Sequence, residues 1–285
     1  TIDEQLEQLK SIMDSSSYSA FQSRMILNSV QDLLESGIPF EDTKNIIENS
    51  IEESFDAYSV KKVFDVILET QQEGLPTEPL INKVNEGFAK NANKGVIISV
   101  ISTKAENLKK ANEILNEARQ EGLKINGGEE MVEILADSLE NDVPQESLSW
   151  LLKTGTSEGK SIEEISEISE ELSYLSLMAY DSGLSPEEIS LLFKKAIESS
   201  NNIEEICENI QTSLDAEIST AKLEGGEGKP STTSDSETLP ASTTESPVEI
   251  GETPTQEAGE APTETDSAPE PSTPPAEEAP SPPEN

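Results

Sequence analysis

The chain has 285 residues, with 58 acidic and 19 basic side chains and no histidine, giving a formal charge of −39. Such an acidic surface argues against binding nucleic acid or an anionic membrane, and the lack of His removes the commonest general base and transition-metal ligand. The lone Cys207 cannot form an internal disulfide or a Cys-rich zinc site.

Apolar residues recur at spacings of three and four from the first residues to about 222, the mark of amphipathic helices. The pattern predicts helices near 2–13, 20–36, 39–56, 59–73, 76–91, 95–121, 128–141, 144–154, 161–182, 185–199 and 202–222. The clearest stripes are Ile97, Ile101, Ala105, Leu108, Ala111, Leu115 and Ala118; Ile162, Ile165, Ile168, Leu172 and Leu175; and Ile203, Cys207, Ile210, Leu214, Ile218 and Ala221. The one strand-like run, "VIISVI" at 96–101, merges into the helical period. It is also the longest apolar run, far short of the roughly 20 residues a membrane-spanning helix needs.

One word recurs between these segments: Gly, an apolar residue, Pro or a near equivalent, then Glu. Gly37, Gly74, Gly122 and Gly183 are expected to close helices in the left-handed conformation, with Ile38, Leu75, Leu123 and Leu184 packing back on the last turn. Pro39, Pro76 and Pro186 are expected at the first position of the next helix, with Glu41, Glu78 and Glu188 in its first turn. In "NDVPQE" Asp142 takes the glycine's place, and "GLKINGGEE" lacks the proline. Replacing Gly74 by Val is expected to cost more than about 1 kcal/mol, and replacing the mid-helix Gly87 by Ala to be milder. The fold class is therefore all-α, built from αα-hairpin repeats as an irregular solenoid or a compact bundle.

Composition changes near residue 224. From Glu224 to Asn285 there are 15 acidic residues, one basic residue and 12 prolines, with ten threonines and eight serines. Such a segment is expected to be a disordered acidic spacer, so the domains read as 1–223 helical and 224–285 tail. Truncation at 224 should leave the melting temperature almost unchanged.

Residues 74–119, "GLPTEPLINKVNEGFAKNANKGVIISVISTKAENLKKANEILNEAR", resemble a recurring segment of uncharacterised, exported bacterial α-helical-repeat proteins. In those a Gly-Leu-Pro corner leads into a Lys-x-x-Glu-Gly-x-Ala-Lys helix, matched here by Lys83, Glu86, Gly87, Ala89 and Lys90. The resemblance implies a helical fold and no particular activity.

No residue reads as catalytic, cofactor-binding or metal-ligating. Cys207 lies on the apolar stripe of its helix, and Trp150 sits among Leu148, Leu151 and Leu152; both read as packing residues. The pairs Glu129–Glu130, Glu163–Glu164, Glu187–Glu188 and Glu204–Glu205 fall at helix starts, where the helix dipole accounts for them. The expected function is a non-enzymatic extracytoplasmic scaffold that binds a protein or cell-envelope component, with no cofactor and no nucleic acid. The alternatives are an acidic cation-buffering or surface-coating protein and, behind it, an enzyme using carboxylates only. The start at Thr1 reads as the product of a removed signal peptide, placing the chain in the periplasm or outside the cell; the alternative is a cytoplasmic protein.

Overall fold

The structure is a computed structural model that describes residues 1–200 and 202–224. The acidic segment beyond lies outside the described residues. Among the described residues are eleven helices and no strand: α1 (Ile2–Asp14), α2 (Ala20–Glu35), α3 (Phe40–Glu52), α4 (Ala57–Gln72), α5 (Glu78–Ala89), α6 (Lys94–Gln120), α7 (Gly128–Glu140), α8 (Gln145–Ser157), α9 (Ile162–Asp181), α10 (Pro186–Ser199) and α11 (Ile203–Glu224). These match the expected segments to within a few residues at each end.

The helices stack in two layers. Even-numbered helices follow one another in one layer (α2 on α4, α4 on α6, α6 on α8, α8 on α10), while α1, α3 and α5, then α7, α9 and α11, form the other. Substantial contacts join only helices one or two places apart, and once three, so the chain is a solenoid and not a closed bundle. Its aliphatic core runs unbroken from Leu9 in α1 to Leu214 in α11.

Polar cross-links show that successive even helices run parallel. Lys94 at the start of α6 pairs with Asp56 at the N-cap of α4. At the other ends, Gln71 donates to the Ser36 carbonyl (3.1 Å), Lys109 pairs with Glu73 (2.6 Å), and Lys153 with Glu121 (2.8 Å). Each time, the residue capping one even helix is held by a side chain of the next.

The corners are left-handed caps of the Schellman type. At the first, Gly37 has φ +97°, its N–H donates to the Leu34 carbonyl, and the N–H of Ile38 donates to that of Leu33. The same pair of bonds closes helices at Ser54, Gly74, Asn91, Gly122, Asp142, Gly159 and Gly183, all with positive φ. Three of these caps therefore carry a side chain where glycine is preferred. Changing Ser54 (φ +56°) to Gly should relieve that strain. We expect a gain of up to about 1 kcal/mol, seen as a higher melting temperature; an unchanged or lower one would contradict it.

The additional caps expose a regular repeat. From Gly37 to Asn91 the caps are alternately 17 and 20 residues apart, and the same intervals return from Gly122 through Asp142 to Gly159. The N-caps of α2, α4 and α6, which are Ser19, Asp56 and Asn93, lie 37 residues apart, and each accepts a backbone N–H through its side chain. Between these blocks the period is broken by α6, whose 27 residues exceed the 16 of α4 by 11, about three turns.

Two expectations are corrected. Pro186 occupies the first turn of α10, but Pro39 and Pro144 are themselves N-caps, and Pro76 precedes the N-cap Thr77. Both capping prolines have the extended ψ that N-caps ordinarily adopt (138° at Pro39, 135° at Pro144). Gly87, where alanine is expected to be milder than valine at Gly74 unless the helix is tightly packed, does lie tightly against α6: a Cβ there would stand 2.6 Å from Cγ1 of Ile97 and 2.9 Å from its Cδ1.

Candidate functional site

Where α5, α6 and α7 meet, a buried lysine draws in partly exposed charges from its neighbours. Lys104 of α6 is only 4% exposed. It occupies the position held one and two repeats earlier by Ile67 and Val30, both fully in the core. Its ammonium pairs with Asp137 and with Glu140 (2.8 Å) of α7, and Glu140 also meets Lys83 of α5 at 3.1 Å. Burial alone would lower the Lys104 pKa, but the two carboxylates outweigh it and hold it above the ordinary lysine value. Burial likewise pushes Glu140 up, and the hydrogen bonds from Lys104 and Lys83 bring it below the ordinary carboxylate range. The network's contribution to stability is thus complete between the unfolded pKa values of Glu and Lys. It fades as pH falls through the folded pKa of Glu140, or rises through that of Lys104. These four groups neutralise one another, so the arrangement is a clamp that seats α7.

A second polar cluster joins α7 to α9. Ser173 donates to the Ser169 carbonyl (2.8 Å), Ser138 and Ser173 hydroxyls lie 3.2 Å apart, and Ser138 also meets the Ser169 hydroxyl. All three are buried, with each other as partners.

The acidic pairs fall where the helix dipoles account for them. Glu129–Glu130, Glu163–Glu164, Glu187–Glu188 and Glu204–Glu205 open α7, α9, α10 and α11. Glu164 and Glu188 complete reciprocal caps with Ser161 and Ser185. Cys207 is buried, and burial together with the Glu171 and Glu204 carboxylates pushes its thiol up to about 12. An aromatic disulfide reagent at pH 8 should leave it unmodified until the domain is unfolded; rapid reaction of the native protein would overturn its burial. Trp150 is half-buried against the core. A concavity of about 700 Å³ lies along Glu117, Val143, Pro144, Ser149 and Ser190, beside the α7–α8 corner.

One surface feature was missed by sequence reasoning. Eight of the eleven helices have an acidic residue in the first turn; α2, α4 and α6 have none. In place of acids, those three first turns expose a large apolar side chain: Phe21 (67% exposed), Tyr58 (62%) and Val96 (48%). Phe21 and Tyr58 are one repeat apart, and the Lys94–Asp56 pair sets the starts of α4 and α6 side by side. The signal in the sequence was the 37-residue recurrence of Ala-Phe and Ala-Tyr at 20–21 and 57–58.

An αα solenoid with an apolar edge along the starts of α2, α4 and α6 is thus the class of protein the structure defines. Comparison of the chain with known protein families, curated proteins and solved structures found no match.

Proposed function

We propose that the chain is a non-enzymatic helical scaffold acting outside the cytoplasm, where it binds a protein or cell-envelope component, with its acidic C-terminal segment as spacer. The observation that carries this reading is the apolar edge. The chain has only 6 Phe, 4 Tyr and 1 Trp. Placing Phe21 and Tyr58 at equivalent, solvent-facing positions withholds two of these from the core. Exposed aromatic residues on a rigid framework are favoured binding anchors, and solenoids present such residues in rows. The resemblance of residues 74–119 to exported helical-repeat proteins supports the location.

The test is capture from the envelope fraction of the native host, with the wild-type chain and a Phe21→Ser/Tyr58→Ser variant compared at equal fold content. A species retained by the wild type and lost by the variant is expected. If every retained species is indifferent to the substitutions, the edge is not the binding face. The charge of −39 favours one second reading, a cation-buffering or surface-coating protein. Calorimetric titration with calcium separates the two, because only the buffer requires multiple occupancy at millimolar cation.

A further inference from the structure

The 11 extra residues of α6 leave part of that helix without the cover its counterparts have. The face of α4 that meets α6 is marked by Val66 and Thr70, which line a groove with Ser102 and Ala105 of α6. One repeat later these positions are Thr103 and Asn107, and Val63 becomes Val100. Val63 and its earlier counterpart Ile26 are 1% and 0% exposed, yet Val100 is 39% exposed. The face of α6 bearing Val96, Val100 and Thr103 continues as Asn107, Ala111 and Ile114, and there it is buried. The helices that cover it, α7 and α8, engage α6 from Lys104 to its end, through Lys104–Asp137 and Lys153–Glu121. The first three turns of α6 thus carry a core-type face at which the solenoid's next even helix is absent.

We infer that this face of α6, centred on Val96 and Val100, docks an amphipathic α-helix of a partner protein, about three turns long and net basic. The inference rests on the scaffold reading and assigns the partner's chemistry at the α6 end of the same edge. The occupant is a helix because in the preceding repeat Val63, the equivalent of Val100, is buried where α6 packs parallel to α4, while Ser59, the equivalent of Val96, is half-exposed at the rim of that contact. Its apolar stripe meets two valines set four residues apart, the spacing by which a helix in a groove is read. Lys94 and Lys90, the cations flanking the start of α6, are paired with Asp56 and Glu86. The sign of the field at the site is therefore set by the rest of an acidic chain of net charge −39, which favours a basic helix. The same charge opposes a second copy of this chain. The residues after Glu224, with 12 prolines, lack the sequence of an amphipathic helix.

The test uses the full chain and a labelled synthetic peptide of about fourteen residues, with leucines on one helical stripe and lysines elsewhere. A scrambled isomer of equal charge serves as reference. Fluorescence anisotropy at physiological salt should show the stripe peptide binding at least tenfold more tightly than the scrambled one, with the Val96 and Val100 methyl resonances shifting. The variant Val96→Ser/Val100→Ser should keep its thermal melt, since both valines are solvent-facing, and lose that margin. A margin that is absent, or that survives in the variant, overturns the proposal. So does a wild-type dimer dissolved by the same substitutions, which would give the face to a second copy. A shift of the two methyl signals on removal of residues 225–285 would overturn it too, giving the face to the tail. Failure here leaves the scaffold reading intact if envelope capture still depends on Phe21 and Tyr58; loss of that dependence sinks the scaffold reading whatever the peptide does.

Discussion

Replacing Gly87 by valine is expected to destabilise the domain by about 3 kcal/mol or more, well beyond the effect of Gly74→Val. The two glycines are used for different physical reasons. Gly74 is a cap with φ +71° and open space where a Cβ would stand, so a side chain there meets only backbone strain, about 1–2 kcal/mol. Gly87 is helical, and alanine there would gain about 1 kcal/mol of helix propensity. Its Cβ, however, would stand 2.6 Å from Cγ1 of Ile97, a side chain only 2% exposed that would have to shift within the core. Overpacking of this kind costs about 1–3 kcal/mol for small additions, and valine adds two further methyls. The decisive measurement is a double-mutant cycle by urea unfolding. Ile97→Ala alone should cost about 2–5 kcal/mol, and Gly87→Ala should be much better tolerated in its presence, with a coupling of about 1 kcal/mol or more. Additive effects would mean that α5 and α6 do not meet at this point.

Lys104 carries the second large effect. Changing it to Glu should cost about 3 kcal/mol or more at pH 7, because an unpaired charge would be buried beside Asp137 and Glu140. That penalty should shrink as the pH falls toward 4, when the carboxylates take up protons. Changing it to Ile, the residue type of position 67, should cost far less than Glu, because no like charge is buried, Asp137 is 67% exposed to solvent and Glu140 keeps Lys83 as its partner. An isoleucine variant as damaged as the glutamate one would show that the ion pairs themselves hold α7 in place.

These two residues also mark the limit of what is legible in the sequence. Helix positions can be read because apolar spacing, Ser and Asp caps and Gly corners are local signals. The 37-residue repeat is visible only in part, at Gly37 and Gly74 and in Ala-Phe at 20–21 against Ala-Tyr at 57–58. Ser54 and Asn91 close helices in the same conformation as glycine; asparagine is a weak left-handed signal, and nothing local distinguishes Ser54 from a surface residue. Lys104 stands next to Ala105 of the apolar stripe, where a charged residue is ordinarily solvated, yet it is the lysine that is buried, because α7 brings two carboxylates to it. Whether Gly87 is free or crowded depends on Ile97, which lies on another helix. The apolar edge escapes sequence reading for a related reason. Phe21 and Tyr58 fit an amphipathic pattern equally well on either face, and only the stacking of α2, α4 and α6 decides that they look outward.

The length by which α6 departs from its counterparts has an evolutionary reading. At about 100° per residue, 11 residues return a helix to within some 20° of its starting phase. An insertion of nine would have turned the apolar stripe of α6 to the opposite side and stranded α7 and α8 in solvent. Eleven residues instead carry the second block about 16 Å along the α6 axis with almost no rotation. The chain could therefore tolerate this lengthening in a single genetic step, with both blocks still folding on their own hydrophobic faces.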